Sequence, residues 1–260
     1  MSKPMILLTN DDGVHAPGLL ALERAMQRIG NVRIVAPEHN WSASGHTKTM
    51  HKPLRVEPVQ LEDGSPALAC SGSPSDCVAL VLLGLLPDQP DLVVSGINPG
   101  QNVGQDVTYS GTVSAAWEAV ITGVPAIAVS LSSHEEPDYR YAAEFASRLA
   151  SEVLAARFER PILLNLNVPS LPANQITGIE ITRLGRRVYR DVLDERRDPR
   201  GHSYYWIGGL PPSGIPEPGT DIGALAEGRV SITPIQLDLT DHLLIDELRQ
   251  WDLGSPADRQ

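Results

Sequence analysis

Met5–Thr9 reads MILLT and runs straight into Asn10-Asp11-Asp12-Gly13. A short, wholly apolar run that stops at a polar turn is the pattern of a strand buried on both faces, and such strands belong to parallel sheets. Pro17 then opens PGLLALERAMQRIG, with Leu19, Leu22, Met26 and Ile29 near helical spacing and Gly30 as the stop. Residues 32–36 (VRIVA) are a second strand. A β-α-β opening commits the chain to a parallel sheet with a right-handed crossover. It also places Asp11 and Asp12 just beyond the carboxyl end of the first strand, where open α/β sheets bind their ligands.

The rest of the chain extends this α/β plan. Residues 53–70 read as a small β excursion: LRVEPV, a turn at Asp63-Gly64, then ALAC. Ser73-Pro74-Ser75-Asp76 is a helix start, with Ser73 as N-cap, Pro74 in the first turn and Asp76 reaching back. The helix CVALVLLGLL that follows is apolar nearly all round, which predicts deep burial. DLVVS is the next strand, followed by the Gly/Asn-rich loop GINPGQNVGQDVTYSGT, a helix in VSAAWEAVITG, a strand in PAIAVSL, a helix over 139–158 and a strand in ILLNLNV. After residue 175 the texture changes. ITGIEITRL is a strand; 186–209 is charged and then aromatic, a long hairpin or arm; 211–219 is Pro/Gly-rich and predicted irregular. VSITPIQLDLT is a late strand and 242–251 a terminal helix. The expected organisation is one α/β domain over 1–260: a core to residue 183, an arm and irregular segment over 184–228, and a closing strand and helix over 229–252.

Charge excludes one class of partner. Lys plus Arg number 21 against 32 Asp plus Glu, a net charge of −11. Such a surface repels polyanions, so a nucleic-acid polymer is not expected, while a small phosphorylated substrate stays possible because a bound metal reverses the local sign. Cys70 and Cys77 are the two cysteines, too few for a disulfide framework and best read as small core residues. The start MSKPMILLTNDD lacks a secretory core, and no apolar stretch is long enough to span a bilayer, so a soluble, cytoplasmic protein without membrane contact is expected.

Three segments carry chemistry. Adjacent Asp11 and Asp12 repel each other unless something positive lies beside them, and a hard divalent cation such as Mg²⁺ or Mn²⁺ suits oxygen ligands. The bland reading is a helix cap plus a solvated neighbour. In the loop PEHNWSASGHTKT, Ser42 offers a hydroxyl ligand, and Ser44-Gly45 offers backbone N–H groups to an anion. After DLVVS, Asn98 brings an amide oxygen to another strand end, and Tyr109-Ser110-Gly111-Thr112 leads directly into a helix, whose N-terminus favours phosphate. Ordinary capping by Ser110 or Thr112 is the plainer account of that last motif. Each signal is weak alone; their meeting at one sheet edge is the argument.

With these residues in place, the sequence resembles the survival protein E (SurE) family of stationary-phase nucleotidases. The resemblance rests on ILLTNDDGVHAPGL, VRIVAPEHNWSASGH, GSPSDCV, DLVVSGINPGQNVGQDVTYSGTVSAAWE, GVPAIAVSL, LNLNVP, DPRGHSYYWIG, GTDIGAL and GRVSITPIQLDLT, in order along most of the chain. It implies a Rossmann-like fold: an open, mainly parallel sheet with helices on both faces, plus a C-terminal β-hairpin arm and terminal helix. It further implies one divalent metal ion and hydrolysis of nucleoside 5′-monophosphates, with activity on 3′-monophosphates and short polyphosphate. By position, the metal ligands are Asp11, Asp12, Ser42 and Asn98; the phosphate contacts are Ser110, Gly111 and Thr112; and Asn10 lies beside the metal. Many relatives have Ser-Gly where this chain has Ser42-Ala43, and alanine does not adopt positive φ cheaply, so a different loop geometry is expected over 43–46.

The expected reaction is direct attack of a metal-activated water, with Asp11 or Asn10 orienting it; the sequence does not choose between the two. An aspartyl-phosphatase would need Asp-x-Asp after the strand, and the aspartates here are adjacent. A non-catalytic nucleotide- or sugar-phosphate-binding module of flavodoxin-like shape is the alternative. His46 is kept as a possible hydrogen bond to substrate, although a structural role suits it better. Tyr204, Tyr205 and Trp206, beside the charged run RRVYRDVLDERRDPRG, fit an arm that pairs with a second subunit, and the resemblance points to a homodimer with exchanged elements or a homotetramer.

Overall fold

The computed structural model describes residues 3–133, 137–156 and 158–252. Met5–Thr9 is strand β1, buried throughout. Pro17–Met26 is helix α1, started by its proline and with Leu19, Leu22 and Met26 facing inward. Asn31–Pro37 is β2, parallel to β1. The excursion forms an antiparallel pair, β3 (Val56–Gln60) and β4 (Pro66–Cys70), with β4 parallel to β2. Helix α2 (Pro74–Leu80) begins with the capping box read from the sequence: Ser73 accepts from Asp76 N–H while Asp76 accepts from Ser73 N–H.

The chain then returns past β1. Leu92–Pro99 (β5) pairs with β1 on its other side, followed by α3 (Gly111–Ile121), β6 (Ala126–Ser132), α4 (Arg140–Ala155) and β7 (Leu163–Pro169). β4, β2, β1, β5, β6 and β7 are therefore all parallel. Beyond β7 lie β11 (Arg229–Ile235), antiparallel to it, and β8 (Gly178–Ile181), giving the order β3-β4-β2-β1-β5-β6-β7-β11-β8. Strand order reverses between β1 and β5, which opens a crevice outside their carboxyl ends. One core cluster lies under α1 and α4; the other lies under α2 and α3 and includes Cys70 and Cys77. The expected α/β sheet with helices on both faces is what the chain forms.

Three expectations need correction. The helix predicted through CVALVLLGLL ends as α2 at Leu80 and passes into a wider turn with Gly84 at φ +107°; Leu83 there is 81% exposed, so deep burial holds only for the first half. Of the segment 211–219 predicted irregular, 211–215 is strand and only 216–219 is irregular. β9 (Arg186–Arg197) and β10 (Ser203–Ile215) form a separate antiparallel hairpin, and β10 runs on through the prolines with a register irregularity between Leu210 and Ser213. A two-stranded ribbon has open edges, so prolines can sit there without breaking a ladder on both sides. Finally, Thr220 caps a short helix α5 (Asp221–Ala226) that sequence reading missed. The terminal helix is α6 (His242–Leu248). Among the described residues, no helix is long and apolar enough to cross a membrane.

Candidate metal and phosphate site

At the end of β1, Asn10 makes the turn. Its Nδ2 donates to Gly13 O at 2.9 Å, and its Oδ1 accepts Gly13 N–H at 3.3 Å. Asn10 is fully buried, so its amide serves the turn that presents Asp11 and Asp12. Both aspartates line a cleft of about 450 Å³ at the switch point, together with Ser42, Asn98 and Ser110. The five candidates from four separate segments therefore share one wall.

Asp11 is 4% exposed. Burial pushes its carboxyl up, opposed by the Thr112 hydroxyl and by backbone N–H groups of Thr112 and Gly111. Gly111 is required by this approach: a Cβ there would lie 2.7 Å from Asp11 Cβ and 2.9 Å from Oδ2. Burial and the charge of Asp11 push Asp12 up to about 7. Its Oδ2 is buried without a hydrogen-bond partner. Burial and the charge of Asp12 in turn push the Tyr139 phenol up to about 12. An orphaned carboxylate oxygen beside a second carboxylate fits a cation.

The Ser42 loop is strapped over this pair. Trp41 N–H donates to Asp11 O at 2.7 Å, Ser42 N–H to Asn40 Oδ1 at 2.7 Å and Gly45 N–H to Tyr109 O at 2.9 Å. Ser44 N–H also turns inward, to Trp41 O at 3.2 Å. The backbone donors of Ser44 and Gly45, read from sequence as an anion cradle, are thus spent within the protein. Ala43 does take a left-handed conformation, with φ +57°. The alanine bears the strain that glycine would avoid.

Asn98 comes from the end of β5, after a register break between Ser95 and Asn98. Gly96 permits it: a Cβ there would meet Val129 O at 2.4 Å. Asn98 Nδ2 donates to Gly100 O at 2.7 Å, so Oδ1 is the atom left for ligation. The donor set is thus two carboxylates, a hydroxyl and an amide oxygen, the hard ligands of Mg²⁺ or Mn²⁺. Among the described residues no three His, Cys, Asp or Glu cluster as a metal site, so the charged members of this set are Asp11 and Asp12 alone.

On the phosphate side, Ser110 caps α3. Its Oγ accepts from Val113 N–H at 3.1 Å and keeps its own proton to donate. Thr112 donates to Asp11 Oδ1, so its hydroxyl holds the carboxylate. Sequence reading missed the support beneath. Asn102, in the cleft wall, donates its N–H to Asn167 Oδ1 at 2.9 Å, and its carbonyl accepts from Asn165 and Asn167 at 2.8 and 3.0 Å. LNLNVP carried the signal, since alternate asparagines share one strand face. His46 is structural: its Nε2 lies 3.0 Å from Glu118 Oε2, along α3. A larger cleft of about 550 Å³ near Arg140 and Pro172 lies away from the ends of β1 and β5, and its Asp138 is paired with Arg140.

Residues 6–191 match the model of the family described as Survival protein SurE. The chain is 55% identical over 238 residues to the 5′-nucleotidase SurE of Herpetosiphon aurantiacus, covering 91% of this chain and 93% of that one. It is 51% identical to the 5′-nucleotidase SurE of Chloroflexus aggregans, covering 95% and 98%. Its fold matches the crystal structure of the SurE protein from Aquifex aeolicus with a TM-score of 0.81 at 37% identity, covering 95% of this chain and 98% of that one.

Proposed function

The chain belongs to the survival protein SurE family, and from that premise we propose that it is a 5′-nucleotidase, a phosphomonoesterase that hydrolyses nucleoside 5′-monophosphates with one divalent metal ion. The observation that carries this reading is the orphaned Oδ2 of Asp12 beside buried Asp11, in one cleft with Ser42, Asn98 and the capping serine of α3. Asp11, Asp12, Ser42 and Asn98 would hold the cation, Mg²⁺ or Mn²⁺. Once bound, it supplies positive charge to the phosphoryl oxygens and lowers the pKa of the attacking water.

The chain's own groups do the rest. Ser110 donates to a phosphoryl oxygen, and the positive end of α3 stabilises charge that develops there. Gly111 and Thr112 complete this side by seating Asp11 against the helix end. Of the two groups proposed to orient water, Asp11 is favoured because Asn10 is committed to Gly13. Ser110 and the end of α3 address a phosphoryl group, which 3′-monophosphates and short polyphosphate also carry, and the proposed activity extends to them.

The exposed hairpin supports a homodimer or homotetramer. Tyr205, Trp206 and Ile207 are 56%, 60% and 85% exposed on a ribbon outside the main sheet, and a second copy would cover them. The test of function is turnover of nucleoside monophosphates after chelation, with Mg²⁺, Mn²⁺ or Co²⁺ added back. Metal-restored phosphate release is expected. Tight nucleotide binding without release under any metal would instead favour a binding module.

A further inference from the structure

The short turn Gly104–Thr108 connects the metal side of the cleft to the phosphate side, and beyond its own local bonds its first three residues are held from the C-terminal third of the chain. Gly104 N–H donates to Asp221 Oδ2 at 2.8 Å. Arg187 N–H donates to Gln105 Oε1 at 2.8 Å. Asp106 Oδ1 accepts the Tyr189 hydroxyl at 2.7 Å, and its Oδ2 lies 2.6 Å from Arg187 Nε, a contact of charges rather than an aligned hydrogen bond. Asp221 is fully buried and also accepts Gly185 N–H at 2.7 Å, tying the root of β9 to the same turn.

Asp106 is itself in the cleft wall with Tyr109 and Ser110. A carboxylate there repels a phosphate dianion unless something neutralises it. At Asp11 and Asp12 the proposed cation would serve that purpose; Asp106 has Arg187, whose side chain is 9% exposed against 19% for Asp106. A guanidinium so covered is not an assembly residue of the exposed ribbon but part of the cleft's framework.

We propose that Arg187, at the root of the arm, is a positioning residue for the phosphate site: it neutralises Asp106 and, with Tyr189 and Asp221, fixes the turn over 104–108 that leads into Ser110. The arm thus has two parts, a root that shapes the site and an exposed outer ribbon. This rests on the phosphatase reading above.

The test uses the full chain with Arg187→Met, Arg187→Lys, Asp106→Asn and the double variant Arg187→Met/Asp106→Asn, with Trp206→Ala on the outer ribbon as control. KM and kcat are measured on a nucleoside monophosphate and on p-nitrophenyl phosphate, and amide hydrogen exchange is followed over 104–112 without substrate. Arg187→Met should raise KM about tenfold for both esters and speed exchange in the turn. Arg187→Lys should recover most of the KM. The double variant should recover KM, because the unpaired carboxylate is gone, while exchange stays fast. Trp206→Ala should change neither. Unchanged KM and exchange in a folded Arg187→Met protein would overturn the proposal, and a double variant no better than Arg187→Met would overturn the neutralising role. If wild type releases no phosphate from any ester, the phosphatase reading fails, and hydrogen exchange still judges the coupling of root to turn.

Discussion

The hydroxyl of Thr112 donates to Oδ1 of Asp11 in a wall closed to solvent, with Thr112 fully buried and Asp11 4% exposed. Second-layer bonds of this kind orient a ligand and hold it charged. Thr112→Val keeps the shape and removes the hydroxyl, leaving only backbone N–H groups to oppose burial at Asp11. Metal affinity should fall about 10-fold once the carboxylate loses the hydroxyl that orients it, and Thr112→Ser should restore it. Calorimetric titration beside kinetics at saturating metal tests this. Unchanged affinity with a lower kcat would mean that Thr112 touches the phosphoryl group instead.

Asp12 should show the opposite balance between stability and function. Its Oδ2 has no partner, and the neighbouring carboxylate repels it. Asp12→Asn should therefore remove most activity yet leave the chelated protein no less stable than wild type, because a neutral amide escapes that repulsion. Thermal melts in chelator and turnover at limiting metal are the two measurements. Full turnover at limiting metal would end the assignment of Asp12 as a ligand.

How much of this was legible in sequence depends on how local the cause was. β1, the capping box at Ser73 and the meeting of Asp11, Asp12, Ser42, Asn98 and Ser110 were readable, because strand ends of a parallel sheet converge by topology. The partners of those residues were not. Position alone makes Asn10 a candidate to orient water, but its amide is bonded to Gly13; it makes Ser44 and Gly45 anion donors, but their N–H groups turn inward. Such commitments are decided by contacts that spacing does not encode. The Asp221 bonds to Gly104 and Gly185 span 117 and 36 residues. The exposed Leu83 was misjudged because an all-apolar stretch says that burial is available, not which turn obtains it.

Ala43 offers a test of stored backbone strain. Its φ of +57° places an L-residue with a Cβ in the left-handed region, at a cost of about 1–2 kcal/mol. Ala43→Gly removes that strain but adds freedom to the unfolded chain, worth roughly 0.4–1 kcal/mol. The net expectation is a gain of up to about 1.6 kcal/mol with activity retained. Chemical denaturation reads it directly, and a destabilised glycine variant would show that the alanine methyl makes packing contacts worth more than the strain.

Glu118 links acid stability to the strap over the site. Its side chain is 5% exposed, with His46 Nε2 at 3.0 Å and Lys48 Nζ at 2.7 Å. The bond to His46, then that to Lys48, holds its carboxyl below the ordinary value of 4.5. A depressed carboxyl contributes stability that is present above the unfolded value and lost as pH falls through the folded one. Wild type should thus exceed Glu118→Gln in stability at neutral pH, and the gap should close as pH drops below 4.5. Equal denaturation midpoints at pH 7 would show that the cluster contributes nothing.

The outer ribbon should govern assembly independently of the site. Val192, Leu193, Trp206 and Ile207 are 59%, 66%, 60% and 85% exposed, on a two-stranded hairpin that the main sheet does not cover. An isolated ribbon of this kind is marginal in water, and its apolar side chains favour a second surface. Asp191 pairs with Gly209, so replacing 192–208 with an Asn-Gly turn closes the hairpin there. Arg187 and Tyr189 stay in place at its root. The trimmed chain should have a smaller mass by light scattering while keeping its metal affinity and its KM for p-nitrophenyl phosphate, since every proposed ligand lies elsewhere. An unchanged mass would show that the ribbon does not hold subunits together. A smaller mass with lost metal affinity would show that assembly completes the site, and the separation of root from outer ribbon would then be wrong.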